Sequence, residues 1–127
     1  MRQIDHFILG ETPPATRKHQ VWNPSTGEVQ AEVALGDAAL LARAVESAKR
    51  VQPQWAATNP QRRARVMFAF KALVEAEMQS LAELLSSEHG KTIADAKGDI
   101  QRGLEVIEYA CGIPQIMKGE YTHGAGP

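Results

Sequence analysis

The sequence predicts a mostly α-helical chain with one β-hairpin, and this chain is expected to belong to a larger α/β fold. Three observations carry the prediction. Apolar residues recur at helical spacing over three segments, residues 28–33 alternate like a half-buried strand, and no series of buried strands separates the helices. A parallel sheet needs several such strands. The helices are therefore expected to cover a sheet built by residues outside this chain, and we interpret the 127 residues as a single incomplete domain.

The first 35 residues predict extended structure. Residues 1–17 contain the apolar patch FILG at positions 7–10, which predicts a short extended segment followed by an irregular linker. The sequence NPSTG at positions 23–27 is typical of a turn, since proline and glycine frame it. Val29, Ala31 and Val33 alternate with polar residues. Residues 18–35 are therefore expected to form a β-hairpin.

Residues 36–120 are expected to be the helical part. Asp37 is a suitable N-cap for a first helix, which Pro53 is expected to end. Asn59 and Pro60 begin a second helix, which runs to about residue 87 before Gly90. Its apolar register wavers near Met78, where the helix is open to a break.

A third helix is expected to begin at Thr92, with Asp95 in a variant of the capping box. Its apolar stripe has spacings of four, three and four residues, and consists of Ile100, Leu104, Ile107 and Cys111. Gly112 and Pro114 are expected to end it. Residues 121–127 are interpreted as a flexible tail.

Composition excludes several classes of protein. The net charge is −1, from 14 basic and 15 acidic residues, so no basic surface for nucleic acid or an anionic membrane is expected. No apolar run is long enough to span a membrane. Cys111 is the only cysteine, which excludes an internal disulfide. With no targeting pattern at the N-terminus, a cytoplasmic location is expected.

Several residues could carry chemistry, and a structural role is favoured for each. Residues 90–92, GKT, resemble the end of a phosphate-binding loop, but Leu85 occupies the position of its first glycine. Cys111 lies on an apolar stripe and is expected to pack in the core. The basic cluster of Arg62, Arg63 and Arg65 is expected on an exposed helix face. No metal site is expected, because the four histidines lack ligand spacing; they are His6, His19, His89 and His123.

The segment HGKTIADAKGDIQRGLEVIEYACGIPQIMKGE, residues 89–120, resembles the aldehyde dehydrogenase superfamily, and within it the CoA-acylating methylmalonate-semialdehyde dehydrogenases. The upstream segment NPSTGEVQAEVAL fits the same family, so the resemblance covers roughly residues 15–120. It implies an α/β parent fold with a Rossmann-type NAD-binding domain, to which this chain would contribute outer helices. Family members are commonly homotetramers.

The resemblance also implies an activity. The parent enzyme would oxidise methylmalonate or malonate semialdehyde to an acyl-CoA, using NAD and CoA. Its catalytic cysteine and general-base glutamate would lie beyond Pro127, so the chain is expected to be an N-terminal fragment that is not catalytic alone. No catalytic, cofactor-binding or metal-binding residue is therefore assigned within it.

Arg102 is the one candidate site residue. Helical periodicity alone places it off the apolar stripe, where an arginine is usually solvated. The resemblance implies that this arginine binds the carboxylate of the substrate, and a guanidinium fork suits that task.

Two alternatives remain open. The parent enzyme could be an aldehyde dehydrogenase of another subfamily, for example one acting on succinate semialdehyde without CoA. The chain could instead be a stand-alone helical interaction module, because three amphipathic helices and a hairpin would leave apolar faces uncovered.

Overall fold

A computed structural model describes residues 1–125, and its sheet has three strands in the order β1-β3-β2. They are β1 (Arg2–Ile4), β2 (Arg17–Trp22) and β3 (Val29–Leu35). The predicted hairpin is present, with β2 antiparallel to β3. In its turn, the Asn23 N–H donates to the carbonyl of Glu28, and Gly27 has the positive φ of 73° that glycine adopts without strain.

The N-terminal segment differs from the prediction in two ways. β1 pairs in parallel with β3 and adds a third strand that the sequence did not indicate. Positions 7–10 were predicted to be extended, which is wrong for their second half, because Leu9 and Gly10 have φ values of 58° and 80°. Ile8 and Glu11 exchange backbone hydrogen bonds of 2.9 and 3.0 Å around them. Two central residues with positive φ are typical of a tight hairpin turn, which apolar character alone does not reveal.

Five helices follow. They are α1 (Ala38–Ala57), α2 (Pro60–Ala76), α3 (Met78–His89), α4 (Ile93–Cys111) and α5 (Ile113–Ile116). The predicted N-caps are confirmed for three of them: Asp37 accepts from Leu40 N, Asn59 from Gln61 N, and Thr92 from Asp95 N. Each cap satisfies a backbone donor that the helix itself leaves unpaired.

The prediction that Pro53 ends the first helix is wrong. α1 continues through it to Ala57, because Pro53 is exposed, so its ring meets solvent and the helix loses a single backbone hydrogen bond. The helix ends instead at Thr58, whose hydroxyl donates to the carbonyl of Gln54. Asn59 has a ψ of 129°, outside the helical region, as expected of a residue that precedes a proline.

Two further helix boundaries refine the prediction of three helices. The break near Met78 occurs at Glu77, which separates α2 from α3. Gly112 ends α4 as expected, but Pro114 lies within the first turn of α5 rather than closing the helical part. Proline is tolerated in a first turn because the N–H that it lacks would have no helical partner there.

The core of the described chain is small and made of small side chains. α2 and α3 pack on α4, and α5 packs on α2. No large side chain is fully buried in residues 1–125; the buried apolar residues are Ala31, Ala34, Ala64, Ala82, Ala96, Leu104 and Cys111. The predicted stripe of α4 is confirmed, since Leu104 and Cys111 are buried and Ile100 and Ile107 are half-buried.

Large apolar side chains instead lie on the outside. The apolar periodicity of α2 is carried by outward residues such as Phe70 and Leu73, the latter 64% exposed. α1 likewise exposes Leu41, Val45 and Trp55. So much exposed apolar surface is unusual for a free-standing domain. None of the helices in residues 1–125 has the length and apolar character to cross a membrane.

Candidate functional site

Arg102 lies on α4 with its side chain 82% exposed. Its closest charged partner within residues 1–125 is Asp99, one helical turn earlier, with 3.6 Å between Nη1 and Oδ1. That distance is an ion pair but too long for a hydrogen bond. Within residues 1–125, no acceptor therefore occupies the N–H donors of the Arg102 guanidinium, and they are free to bind a ligand.

Asp99 is held in place from its other side by Lys91. The Lys91 ammonium donates to Asp99 Oδ2, while Oδ1 faces Arg102. The hydrogen bond from Lys91 lowers the pKa of Asp99, although partial burial opposes it; the charges of Lys91, Arg102 and His89 lower the pKa further. Asp99 is therefore anionic near neutral pH and lies between two cations.

The junction between α3 and α4 positions Lys91. Gly90 ends α3 with a φ of 84°, and Thr92 begins α4. Ser86 Oγ donates to the Lys91 carbonyl at 2.7 Å, and a Cβ on Gly90 would lie 3.0 Å from Cγ of Pro24 in the hairpin turn. The interpretation of the GKT sequence as a helix end followed by a helix start is confirmed, and the Lys91 ammonium pairs with Asp99.

A shallow recess of about 320 Å³ runs along this side of α4; it is lined by Lys91, Ala94, Asp95, Gly98, Asp99 and Arg102. Both carboxylates in it are engaged, because Thr92 Oγ1 donates to Asp95 at 2.9 Å. Gly98 is exposed and lines the recess, and a Cβ built there would meet no atom within 4 Å. The recess can therefore admit a small ligand beside the guanidinium of Arg102.

Two other predictions concern Cys111 and metal binding. Cys111 is buried and unpaired, which confirms its packing in the core. Within residues 1–125, no three or more His, Cys, Asp or Glu side chains are grouped to hold a metal ion.

The basic cluster on α2 is divided. Arg62 and Arg65 are exposed as predicted, but Arg63 is half-buried, so the prediction is wrong for that residue. Its Nε is buried without a hydrogen-bond partner, and Nη2 reaches only the sulfur of Met117, at 4.0 Å. Arg63 lines a cavity of about 200 Å³ between α2 and α5. The sequence could not reveal this burial, because α5 was not predicted.

The connection between β3 and α1 does not form a cradle for a dinucleotide. β3 leads directly into α1, a connection of the kind that binds pyrophosphate when it is rich in glycine. Gly36 is its one glycine, and the carboxylate of Asp37 already accepts from Leu40 N at 2.8 Å. A phosphate at this helix start would meet a negative charge and an occupied donor. This connection therefore does not fit the pyrophosphate of NAD.

Comparison with known proteins identifies the chain. A family model for the aldehyde dehydrogenase family matches residues 12–126, so the chain belongs to the aldehyde dehydrogenase family. It is 43% identical over 128 residues to malonate-semialdehyde dehydrogenase of Pseudomonas aeruginosa, covering all of this chain and 26% of that protein. It is 41% identical over 100 residues to the acylating, mitochondrial methylmalonate-semialdehyde/malonate-semialdehyde dehydrogenase of Mus musculus, covering 79% of this chain and 19% of that protein.

A solved structure also supports membership of the aldehyde dehydrogenase family. The chain is 59% identical to a protein from Sinorhizobium meliloti named as a methylmalonate-semialdehyde dehydrogenase and complexed with NAD, with a TM-score of 0.91 over all of this chain and 26% of that one. The likeness confirms the predicted family and the predicted α/β parent fold. The chain spans about a quarter of the length of these bacterial relatives.

Proposed function

We propose that this chain is part of an NAD-dependent, CoA-acylating dehydrogenase that oxidises malonate or methylmalonate semialdehyde to an acyl-CoA, and that Arg102 binds the carboxylate of the substrate. The observation that carries the proposal is the free guanidinium of Arg102 beside an open recess on α4. The names of the relatives from Pseudomonas aeruginosa and Mus musculus support the substrate class.

The chemistry of Arg102 suits this role. Its guanidinium stays charged at any working pH and can donate two parallel hydrogen bonds to a carboxylate. Asp99 restrains the guanidinium by a single long contact, so a substrate carboxylate can pair with Arg102 without breaking a hydrogen bond. Lys91 keeps the Asp99 carboxylate occupied on its far side.

NAD and CoA are assigned to the whole enzyme. The Sinorhizobium meliloti protein was crystallised with NAD, and the mouse enzyme is named as acylating. NAD would accept hydride and CoA would accept the acyl group. We assign those contacts, with the catalytic cysteine and general base, to other parts of the enzyme.

The exposed apolar faces of α1 and α2 are proposed to pack against the remainder of the dehydrogenase, in a cytoplasmic homotetramer. The size of the exposed side chains supports this packing, since Leu41 is 66% and Leu73 64% exposed. The same faces are what a stand-alone interaction module would present. The two hypotheses, part of a dehydrogenase and stand-alone interaction module, differ in whether the chain can restore a functional dehydrogenase.

A chimera tests the proposal: this chain replaces the matching N-terminal quarter of the Sinorhizobium meliloti enzyme. We expect CoA-dependent oxidation of malonate semialdehyde. Arg102→Leu should lower kcat/KM for malonate semialdehyde by roughly 10–100-fold, mainly through KM, because a charge-assisted hydrogen bond contributes about 1.5–3 kcal/mol. Propanal, which has no carboxylate, should be little affected.

Arg65→Leu is the matched control, since it removes an equally cationic and exposed side chain of α2 that does not line the recess. An equal loss on both aldehydes in Arg102→Leu would refute carboxylate binding. Activity on succinate semialdehyde without CoA would favour the other subfamily, and a chimera that assembles no dehydrogenase at all would favour an interaction module.

A further inference from the structure

Within residues 1–125, neither the backbone angles nor the surroundings of position 98 require glycine. It lies in the interior of α4 with ordinary helical backbone angles, and a Cβ there would meet nothing within 4 Å. Glycine weakens a helix interior relative to alanine, because it has more conformational freedom to lose. Neither backbone geometry nor packing within residues 1–125 compensates for that loss.

The position of Gly98 relative to Arg102 supplies a reason. The two are four residues apart, so they lie on the same side of α4. A long side chain on a helix leans toward the N-terminus, over the preceding turn. The contact between Arg102 Nη1 and Asp99 shows that the guanidinium does so. Gly98 therefore lies on the same side of α4 as the guanidinium, and both residues line the recess.

We propose that Gly98 is a specificity-determining residue, whose missing side chain leaves the space beside Arg102 in which the carboxylate end of the substrate lies. This inference rests on the carboxylate-binding role proposed for Arg102. A three- or four-carbon acid fits within the recess of about 320 Å³. Any larger residue at position 98 would occupy the space that the carboxylate needs to approach the guanidinium side-on.

Gly103 provides a control within the same helix. A Cβ on Gly103 would also meet nothing within 4 Å, and its backbone is equally helical. It lies next to Arg102 in sequence but on a different side of α4, because five residues rotate the helix by about 140° beyond one full turn from Gly98. Gly103 does not line the recess. The two glycines therefore share helix propensity and open surroundings, and differ in proximity to the recess.

The test uses the same chimera and the same two aldehydes. Gly98→Leu should raise KM for malonate semialdehyde by about tenfold or more and leave propanal within about twofold, because only the charged substrate needs the blocked space. Gly98→Ala, which cannot crowd the fold, should shift KM in the same direction by a smaller factor. Gly103→Leu should change neither value.

The outcomes separate this inference from the proposed function. If Arg102→Leu discriminates between the aldehydes but Gly98→Leu and Gly98→Ala do not, Arg102 binds the carboxylate and the role of Gly98 is refuted. If Gly98→Leu impairs both aldehydes equally, or if Gly103→Leu has the same effect, crowding of the helix explains the loss and the inference fails. If Arg102→Leu does not discriminate either, the carboxylate site itself is refuted.

Discussion

Replacing Gly90 by alanine should destabilise the junction between α3 and α4. Gly90 has a φ of 84°, and left-handed backbone costs a residue with a Cβ about 1–2 kcal/mol. The new Cβ would also lie 3.0 Å from Cγ of Pro24, which sits in a tight turn and cannot move aside freely. Overpacking of this kind adds about 1–3 kcal/mol, so the total expected loss is about 2–5 kcal/mol.

Two other glycines separate these contributions. Gly27 has a φ of 73° but open space around its Cβ position, so Gly27→Ala should show the backbone cost alone, about 1–2 kcal/mol. Gly98 is helical and open, so Gly98→Ala should stabilise α4 by about 0.5–1 kcal/mol. The three substitutions are chemically identical, and they differ in sign and size only through the local structure.

Amide hydrogen exchange in the chimera measures these changes segment by segment. A loss of about 1.4 kcal/mol speeds exchange tenfold where local opening limits it, so Gly90→Ala should speed exchange at the end of α3 by roughly 30-fold or more. The hydrogen bond from Gly90 N to Ser86 O, of 2.8 Å, is the first that should weaken. If Gly90→Ala speeds exchange at the end of α3 by no larger a factor than Gly27→Ala speeds exchange in the hairpin turn, the contact with Pro24 is refuted. Unchanged exchange at the end of α3 in Gly90→Ala would refute the left-handed conformation of Gly90.

Two further predictions concern α4. Leu104→Ala should destabilise the packing of α2 and α3 on α4 by about 2–4 kcal/mol, because Leu104 is only 3% exposed. Val106→Ala, at a residue that is 69% exposed, should change the stability by less than about 0.5 kcal/mol. Thermal unfolding of the chimera compares the two variants, and equal effects would contradict the packing. The pKa of Asp99 is lowered below its ordinary value of 3.8, so the stabilisation from its pair with Lys91 should be complete at pH 6 and disappear as pH falls through the lowered pKa. Amide exchange in α4 should therefore differ between the unsubstituted chimera and Lys91→Met at pH 6, and this difference should vanish in acid. A difference that persists in acid would exclude the ion pair as its source.

Local chemistry allowed the helix starts to be predicted from the sequence. Asp37, Asn59 and Thr92 each cap a helix because a short polar side chain reaches a backbone N–H two or three residues on, and this geometry needs no partner from elsewhere. The glycine stop at Gly90 and the turn at Gly27 follow from conformations that glycine adopts most readily.

Features that depend on distant residues could not be predicted. β1 pairs with a strand about 30 positions later, and three residues carry no periodicity of their own. Pro53 would stop a helix by the usual rule, but its exposed position lets α1 continue. The apolar pattern of α2 correctly predicted a helix but did not indicate which side of the helix packs against the rest of the chain. The exposed apolar residues of α2 have helical spacing, and the buried side is marked only by Ala64, a small residue.

The candidate site was foreseen only in part. Arg102 was identified through family resemblance, and its position off the apolar stripe followed from periodicity. Lys91 and Asp99 are eight residues apart, across a helix boundary, so their pairing depends on the angle at which α4 leaves α3. Arg63 was assigned to an exposed surface, because the short helix that covers it was not expected.

The α3–α4 junction also sets the direction in which Arg102 points. Gly90 ends one helix, Lys91 pairs with Asp99, and Thr92 begins the next helix, so each of three successive positions has one task. If the start of α4 stayed fixed in space, a single residue added to or deleted from its first turn would turn every later position of α4 by about 100° about the axis. Every side chain of α4 would keep its identity and its helix, yet Arg102 would face a different neighbour. The length of this junction therefore constrains the site as strictly as the identity of the arginine does.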